Sequence, residues 1–221
     1  MKKSYFVTAT DTDAGKTFTT CSLIRYLRKQ GINVNGFKPV ETGFMLGQAN
    51  LGDSDASALL RVSAQTLDYC EVNPLRFPIA TSPHIAAKAQ STTINLAELS
   101  QAFHQLQMKS ECVIAEGAGG WFTPLNDKET LADWVKQEQL PVIMVVGMKL
   151  GCINHALLTV AAIEQAGLTL CGWIANAIEP NYPQYDDYLA TLKQSISAPL
   201  LAELPHCHDG QYPEITLMLD A

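Results

Sequence analysis

Residues 8–17, with the sequence Thr-Ala-Thr-Asp-Thr-Asp-Ala-Gly-Lys-Thr, have the residue types and spacing of a loop that can hold phosphate groups. They follow an apolar run and precede a segment with helical periodicity. A loop between a strand and a helix turns consecutive backbone N–H groups toward one point, where the helix N-terminus adds partial positive charge. Gly15 lets the backbone approach a phosphate, Lys16 can reach the β- and γ-phosphates, and the Thr17 hydroxyl can coordinate Mg²⁺. We therefore predict a nucleoside-triphosphate site. Its expected contacts in this loop are Thr12, Asp13, Ala14, Gly15, Lys16 and Thr17.

This loop departs at one position from the common pattern G-x-x-x-x-G-K-[ST], which places a glycine where this chain has Thr10. The tripeptide Gly-Lys-Thr at a helix start could also arise by chance. The loop nevertheless follows the first strand of a chain in which apolar runs alternate with helical segments. Open parallel sheets bind their ligands beyond the carboxyl ends of the strands. The position of the loop therefore favours nucleotide binding.

Two further charged residues follow predicted strands, and a third opens a predicted helix. Lys38 could stabilise the negative charge of a transferring phosphoryl group, although a solvated surface lysine fits the pattern equally well. Asp55 could be an ordinary first-turn helix residue or a Mg²⁺ ligand, and the sequence leaves both open. Glu116 stands where phosphate-loop proteins place the acid that holds Mg²⁺, with an edge residue of no special role as the alternative. The glycine-rich residues 117–120 after it allow close approach of a ligand to the backbone.

Two other element ends offer polar groups. Asn176 follows a predicted strand, and its amide can pair with a purine edge through one donor and one acceptor. Residues 149–155 lead into a long apolar helix, whose first turn offers free N–H groups to a carboxylate. Cys152 and His155 in this segment could suggest a metal site or a nucleophile. Because no second ligand stands at metal spacing, we interpret them as packing residues at the helix start.

The alternation of apolar runs with helical periodicity predicts an α/β fold of the P-loop NTPase kind: three layers, with a mostly parallel central sheet flanked by helices. We expect strands at residues 5–10, 33–37, 112–115, 141–146, 170–175 and 200–204. We expect helices at residues 17–29, about 53–61, 85–90, 95–109, 130–138 and 183–195, and one more that follows residues 149–155 and ends near residue 165. Residues 38–43 and 45–52 are expected to form loops, as are residues 73–84, which contain three prolines.

The composition limits the class of protein. A chain of 221 residues is long enough to bury a full core, and we expect a single domain over residues 1–221. The net charge of −7 argues against a broad nucleic-acid surface. The six cysteines are scattered singly, which favours reduced thiols. No apolar stretch has the length of a signal peptide or a membrane span, so we expect a cytoplasmic protein without a membrane partner.

Three segments together resemble the dethiobiotin synthetases, along nearly the whole chain. They are residues 8–17, residues 116–125 (Glu-Gly-Ala-Gly-Gly-Trp-Phe-Thr-Pro-Leu) and residues 149–156 (Lys-Leu-Gly-Cys-Ile-Asn-His-Ala). The runs Thr-Ser-Pro-His at 81–84 and Ala-Asp-Trp-Val at 132–135 add to the resemblance. The second and third segments are more specific than a phosphate loop, because they are long and unlike those of other phosphate-loop ATPases.

The resemblance implies that one amine of 7,8-diaminononanoate takes up CO₂ as a carbamate, whose oxygen attacks the γ-phosphate of ATP. The second amine then closes the ureido ring and expels phosphate. In that family Lys16 and Lys38 would stabilise the phosphoryl group and the carbamate. Thr42 would take the place of a hydroxyl, usually a serine, that binds the polar end of the substrate. The Mg²⁺ ligands implied are Thr17, Asp55 and Glu116.

The remaining roles divide between nucleotide and substrate. The nucleotide contacts expected after the phosphate loop are Asp55, Glu116, Gly117, Ala118, Gly119, Asn176, Pro205, His206 and Cys207. The substrate carboxylate would be held by a helix N-terminus of a second subunit, which implies a homodimer. The residues expected there are Gly151, Cys152, Ile153, Asn154 and Tyr188.

The chain departs from the family at Ala9, which replaces a glycine, and along the stretch after Cys207. One alternative is a switch ATPase of the partition or septum-site kind. Such proteins usually carry a second lysine in the phosphate loop, where this chain has Asp11 and Asp13. They also tend to have a basic amphipathic tail, whereas residues 214–221 contain no lysine or arginine. A nucleotide-binding paralogue without turnover is a further alternative. Counting against it is the joint presence of Lys16, Thr17, Lys38, Asp55 and Glu116.

Overall fold

A computed structural model of the protein describes residues 3–43, 54–207 and 215. Within these residues the strands are β1 (Lys3–Ala9), β2 (Val34–Phe37), β3 (Val40–Thr42), β4 (Leu75–Phe77), β5 (Cys112–Glu116), β6 (Val142–Gly147), β7 (Leu170–Asn176) and β8 (Leu200–Leu204). The helices are α1 (Lys16–Lys29), α2 (Asp55–Val62), α3 (Tyr69–Val72), α4 (Pro83–Ala89), α5 (Leu96–Lys109), α6 (Leu131–Gln137), α7 (Cys152–Gln165) and α8 (Tyr185–Ser195).

The main sheet of the described residues has six strands in the order β2-β5-β1-β6-β7-β8, and every neighbouring pair is parallel. All of its strands therefore end at the same edge of the sheet. The phosphate loop follows β1, and Lys38 follows β2. Glu116 ends β5, and Asn176 ends β7. Parallel topology thus collects at one edge the polar residues that the sequence places after separate apolar runs.

Helices cover both faces of this sheet. Along β6 the side chains alternate, because Ile143 and Val145 belong to the main hydrophobic core whereas Met144 and Val146 belong to a second cluster with α7 and α8. All residues of β6 are buried, as its wholly apolar sequence requires of a strand with both faces covered. The three-layer arrangement with a parallel central sheet is the one expected from the sequence.

Residues 73–84 and 38–43 differ from the expected loops. Val40–Thr42 and Leu75–Phe77 form a small parallel pair of strands, β3 and β4, and Pro83 begins α4 rather than closing a loop. Proline suits the first turn of a helix, since the N–H that it lacks has no partner there. The pairing of β3 with β4 joins segments more than 30 residues apart, which local periodicity does not reveal. The short helix α3 was also missed.

The expected loop at 45–52 and the start of the second helix at Asp53 lie outside the described residues. The described part of that helix, α2, begins after Ser54, whose hydroxyl accepts a hydrogen bond from the N–H of Ser57 at 3.2 Å. Serine is a favoured cap at this position because it satisfies an N–H group that has no partner within the helix. No helix in the described ranges has the length and apolar composition needed to cross a membrane.

Candidate active site

The phosphate loop is held between β1, β6 and α1. The N–H of Thr10 donates to the carbonyl of Val145 at 3.0 Å, so the loop leaves the sheet in a fixed direction. Asp13 and Gly15 both have positive φ, at 58° and 85°. Glycine adopts this conformation without steric cost, and aspartate tolerates it better than most residues. Gly147 leaves room for the loop, because a Cβ atom there would lie 2.9 Å from Cα of Ala14.

Beside the loop, four side chains form one hydrogen-bonded cluster: Thr17, Lys38, Asp55 and Glu116. The Thr17 hydroxyl lies 2.7 Å from Oδ1 of Asp55 and 2.8 Å from Oε1 of Glu116. The Lys38 ammonium donates to Oδ2 of Asp55 at 2.6 Å, to Oε1 of Glu116 at 2.7 Å and to the carbonyl of Gly117 at 3.0 Å. Residues from β5, α1, α2 and the end of β2 thus meet at one point, and the interpretation of Lys38 as a solvated surface lysine is wrong.

The cluster is a buried ion network open on one side. Lys38 is 2% exposed and Glu116 is 0% exposed, whereas the Asp55 side chain is 45% exposed. Burial lowers the pKa of Lys38, but the carboxylates of Glu116 and Asp55 outweigh this effect and hold the pKa above its ordinary value. Burial raises the pKa of Asp55, and the Lys38 ammonium outweighs it and holds that pKa below its ordinary value. Lys38 and Asp55 are therefore both charged at neutral pH, and the network is open to solvent at Asp55.

The donor atoms of this cluster fit a hard divalent cation. Oε2 of Glu116 is buried and has no hydrogen-bond partner among the described residues. With Oδ1 of Asp55 and the Thr17 hydroxyl it supplies the few protein oxygens through which nucleotide-bound Mg²⁺ is usually held. No group of three or more His, Cys, Asp or Glu side chains within the described ranges could hold a metal ion by itself. The remaining ligands of the ion would come from oxygens of a bound nucleotide and of water.

Lys16 lies in the same loop as a second buried ammonium. Its Nζ is 3.3 Å from the carbonyl oxygen of Asp11, so the side chain folds back over the loop. Burial, with repulsion from the Lys38 ammonium as the second cause, lowers the pKa of Lys16 to about 8. Two ammonium groups beside one loop create a site for a polyanion.

The expected purine contacts lie at the ends of β7 and β8. A cavity of about 560 Å³ opens there, lined in part by Ala177, Tyr185, Pro205 and His206. Asn176 directly precedes Ala177 in the chain and is buried, and its Nδ2 donates to the carbonyl of Ala14 at 3.0 Å. One of the two amide protons is thus used to hold the phosphate loop. Glu179, Tyr182 and Glu203 also line the cavity but carried no recognisable sequence signal.

Four of the residues expected to bind substrate, 151–154, lie at the N-terminus of α7. Gly151 has a φ of 90° and precedes the first helical residue, Cys152, which is buried. Ile153 and Tyr188 pack against the same hydrophobic cluster, while Asn154 is exposed. The burial of Cys152 agrees with its interpretation as a packing residue. Thr42 stands apart from these residues, half-buried at the end of β3.

Several residues that position the site were missed. Lys149 donates to Oδ2 of Asp11 at 2.8 Å, which ties the loop before α7 to the phosphate loop. Burial raises the pKa of Asp11, but the stronger effect of the Lys149 hydrogen bond holds that pKa below its ordinary value. The side chain of Asn73 donates to the carbonyl of Lys38 at 2.8 Å. Glu41 accepts from the N–H of Ala56 and from the Tyr69 hydroxyl.

Comparison with known proteins places this geometry in a family. A family model described as an AAA domain matches residues 3–213. The ATP-dependent dethiobiotin synthetase BioD of Yersinia pestis bv. Antiqua (strain Angola) is 50% identical over 220 residues, covering 100% of this chain and 92% of that protein. The ATP-dependent dethiobiotin synthetase BioD 1 of Escherichia coli (strain K12) is 49% identical over 205 residues, covering 93% of this chain and 91% of that protein.

Among solved structures, the septum site-determining protein MinD of Pyrococcus horikoshii OT3, complexed with Mg-ADP, superposes with a TM-score of 0.54 at 17% identity. The match covers 93% of this chain and 82% of MinD. At that identity the likeness shows a shared phosphate-loop fold and nothing about activity. The sequence relatives, in contrast, confirm the predicted resemblance and leave the switch-ATPase alternative with less support. With half of its residues identical over nearly its full length, the chain belongs to the family of ATP-dependent dethiobiotin synthetases.

Proposed function

We propose that this protein is an ATP-dependent cyclo-ligase that converts 7,8-diaminononanoate and CO₂ to dethiobiotin, with ADP and phosphate as the other products. The observation that carries the proposal is the meeting of Lys38, Asp55, Glu116 and Thr17 beside the phosphate loop, in a member of the dethiobiotin synthetase family. One amine of the substrate becomes a carbamate, the carbamate oxygen attacks the γ-phosphate, and the second amine then displaces phosphate to close the ring.

We assign to Lys16 and Lys38 the stabilisation of negative charge on the phosphoryl group and the carbamate. Phosphoryl transfer needs little covalent help, so positioning and fixed positive charge supply most of the catalysis. The Lys38 ammonium is held by three acceptors and stays protonated, which suits a cation facing the carbamate and the transferring phosphoryl group. Lys16, the first residue of α1, is suited to the β- and γ-phosphates. Losing one such charge typically lowers kcat by about 10²- to 10³-fold.

Thr17, Asp55 and Glu116 are assigned to Mg²⁺. Bound there, the ion would neutralise charge on the β- and γ-phosphates. The protein's own part is to present one hydroxyl and two carboxylates on a rigid frame. The oxygen Oε2 of Glu116, buried without a partner in the described structure, supports the assignment because a buried carboxylate oxygen is costly to leave unsatisfied.

The base of the nucleotide is assigned to the cavity at the ends of β7 and β8. Pro205 and His206 line this cavity, and Asn176 directly precedes Ala177 in its wall. Gly119, after Glu116, lies close to Thr12 of the phosphate loop. The carbonyl of Asn176 remains an acceptor after its Nδ2 has bound Ala14, and it can accept from the exocyclic amine of adenine. Cys207, the last of the expected nucleotide contacts, follows His206 and is half-buried.

The substrate carboxylate is assigned to the N-terminus of α7 in a second copy of the chain, with Tyr188 nearby and Thr42 at the polar end of the substrate. Leu157 and Leu158 follow Asn154 by three and four residues and share its helix face. Both leucines are exposed, as is Leu150 before the helix. This apolar face around the proposed carboxylate seat supports a homodimer in which α7 of one protomer completes the site of the other.

The function is tested by phosphate release from Mg·ATP with bicarbonate, with and without 7,8-diaminononanoate, while dethiobiotin is followed by mass. We expect phosphate release to depend on the diamine and to yield one dethiobiotin per phosphate. Slow phosphate release at the same rate with and without the diamine would contradict the proposal.

A further inference from the structure

A buried carboxylate outside the four-residue cluster, that of Glu41, links β3 to the N-terminus of α2. Glu41 is 5% exposed. Its Oε1 accepts from the N–H of Ala56 at 3.1 Å, and its Oε2 accepts from the Tyr69 hydroxyl at 2.7 Å. The Tyr69 hydroxyl in turn lies 3.0 Å from Oγ of Ser54. Glu41 therefore contacts one neighbour of Asp55 directly and the other through Tyr69.

Capping of α2 does not by itself require this carboxylate. Ser54 already caps the helix through the N–H of Ser57. A buried carboxylate is costly unless its oxygens are satisfied, and here both are satisfied by uncharged donors, the N–H of Ala56 beside Asp55 and the hydroxyl of Tyr69. The Asp55 side chain, by contrast, is 45% exposed and must keep its orientation toward Thr17 and Lys38 at the open side of the cluster.

Glu41 also stands on the segment that carries two proposed site residues. Lys38 lies three residues before it and Thr42 directly after it. The contact with Ala56 therefore sets the spacing between this segment and the first turn of α2. The separation of the Lys38 ammonium from the Asp55 carboxylate depends on that spacing.

We infer that Glu41 is a positioning residue, which fixes the first turn of α2 on β3 so that Asp55 is held in place to bind the nucleotide's divalent cation. The inference rests on the proposed function for the identity of that cation. Loss of a residue that orients a metal ligand typically weakens metal binding or activity by about 10- to 100-fold. The effect is expected in the part of nucleotide affinity that depends on the metal.

The test is calorimetric titration with ADP, once with Mg²⁺ and once with EDTA. The Kd in EDTA divided by the Kd with Mg²⁺ isolates the contribution of the metal, and this quotient is the Kd ratio. In Glu41→Ala we expect this ratio to fall about 10-fold or more, with little change of the Kd in EDTA. Tyr69→Phe, which keeps the ring and removes only the hydroxyl, should show a smaller loss in the same direction. Glu41→Gln should stay close to the wild type, because its carbonyl can accept from Ala56 while its amide donates to Tyr69.

Asp133→Ala is the matched control for lost helix capping. Asp133 accepts from the N–H of Thr130 at 2.8 Å and from its hydroxyl at 2.7 Å, at the start of α6. Its removal should lower the melting temperature without changing the Kd ratio. A wild-type ratio in both Glu41→Ala and Tyr69→Phe would overturn the inference, as would an equal loss in Asp133→Ala. A Glu41→Gln protein as weak as Glu41→Ala would also overturn it, because the loss would then follow charge and not the contacts.

These titrations need no turnover. A wild-type protein that binds Mg·ADP and forms no dethiobiotin would count against the proposed function. If the wild type forms dethiobiotin but the Kd ratio is unchanged in Glu41→Ala and Tyr69→Phe, only the role of Glu41 is overturned.

Discussion

The side-chain amide of Asn176 occupies the space that a Cβ atom at Gly15 would need. An added Cβ would lie 2.0 Å from Nδ2, which itself donates to the carbonyl of Ala14 at 3.0 Å. Gly15 also has a φ of 85°, in the left-handed region that side chains disfavour. Asn176 at the end of β7 thus fixes the conformation of the phosphate loop at Gly15.

Gly15→Ala is expected to abolish measurable binding of Mg·ADP while the fold remains, because the added methyl group clashes with Asn176 and the left-handed backbone costs about 1–2 kcal/mol more. Calorimetric titration measures the binding, and circular dichroism checks the fold. Adding Asn176→Ala to the variant should recover only part of the affinity, since the backbone cost remains. Wild-type affinity in Gly15→Ala alone would contradict this account of the loop.

Asn176→Ala alone should keep the fold and weaken ATP binding by up to about tenfold, the effect of losing a hydrogen bond worth about 0.5–1.5 kcal/mol. The measurement is the Kd for ATP. An unchanged Kd would show that neither the Ala14 contact nor the proposed base contact matters.

Lys38→Met is expected to abolish dethiobiotin formation and to leave nucleotide affinity largely intact, because Lys38 lies outside the phosphate loop. It should also destabilise the free protein by about 3–5 kcal/mol, since the buried Glu116 carboxylate loses its cation. Denaturant unfolding measures the loss, and Mg·ADP should reverse part of it. Lys109→Met, which breaks an exposed ion pair with Glu71, is the control and should retain activity and stability. Wild-type turnover in Lys38→Met would contradict the assignment.

ATP binding is expected to weaken above pH 8. The pKa of Lys16 is lowered to about 8 in the free protein, and bound phosphate would raise it by stabilising the charged form. Below pH 8 the lysine is already protonated and the Kd should be flat. Above pH 8 binding must take up a proton, so the Kd should rise by up to about tenfold per pH unit.

Calorimetry at pH 7 and pH 9, in buffers of different ionisation enthalpy, measures that proton uptake. Lys16→Gln should bind ATP more weakly and without this uptake. Absence of proton uptake by the wild type at pH 9 would refute the link between Lys16 and the phosphates.

Leu158→Glu is expected to convert the proposed dimer to a monomer and to raise the KM for 7,8-diaminononanoate at least several-fold. Leu158 is 62% exposed on the α7 face that carries Asn154, and a buried unpaired charge there would oppose association. Sedimentation equilibrium measures the oligomeric state. Met108→Glu on α5, where the side chain is 72% exposed, is the control and should change neither quantity. A monomeric wild type with full activity would rule out a shared site.

Much of the site could be predicted before its geometry was known. Polar residues that stand out against apolar runs follow β1 and β2 and end β5 and β7, and a parallel sheet brings such strand ends to one edge. The small β3–β4 pair was missed for the opposite reason. Its strands are only three residues long and pair across a long separation, so they leave no periodicity to detect.

The sequence by itself determined the chemistry available: a phosphate loop, two lysines and the carboxylates of Asp55 and Glu116, in an order typical of dethiobiotin synthetases. Local pattern and element ends are enough for this, because each depends on neighbours along the chain. Only the tertiary structure decided that Thr17 contacts Asp55 and Glu116, which lie 38 and 99 residues away, at 2.7 Å and 2.8 Å. It also decided that Asn176 braces Gly15 and that Glu41 holds the first turn of α2. Such contacts join distant segments through packing of the whole core, and no local pattern encodes their distances.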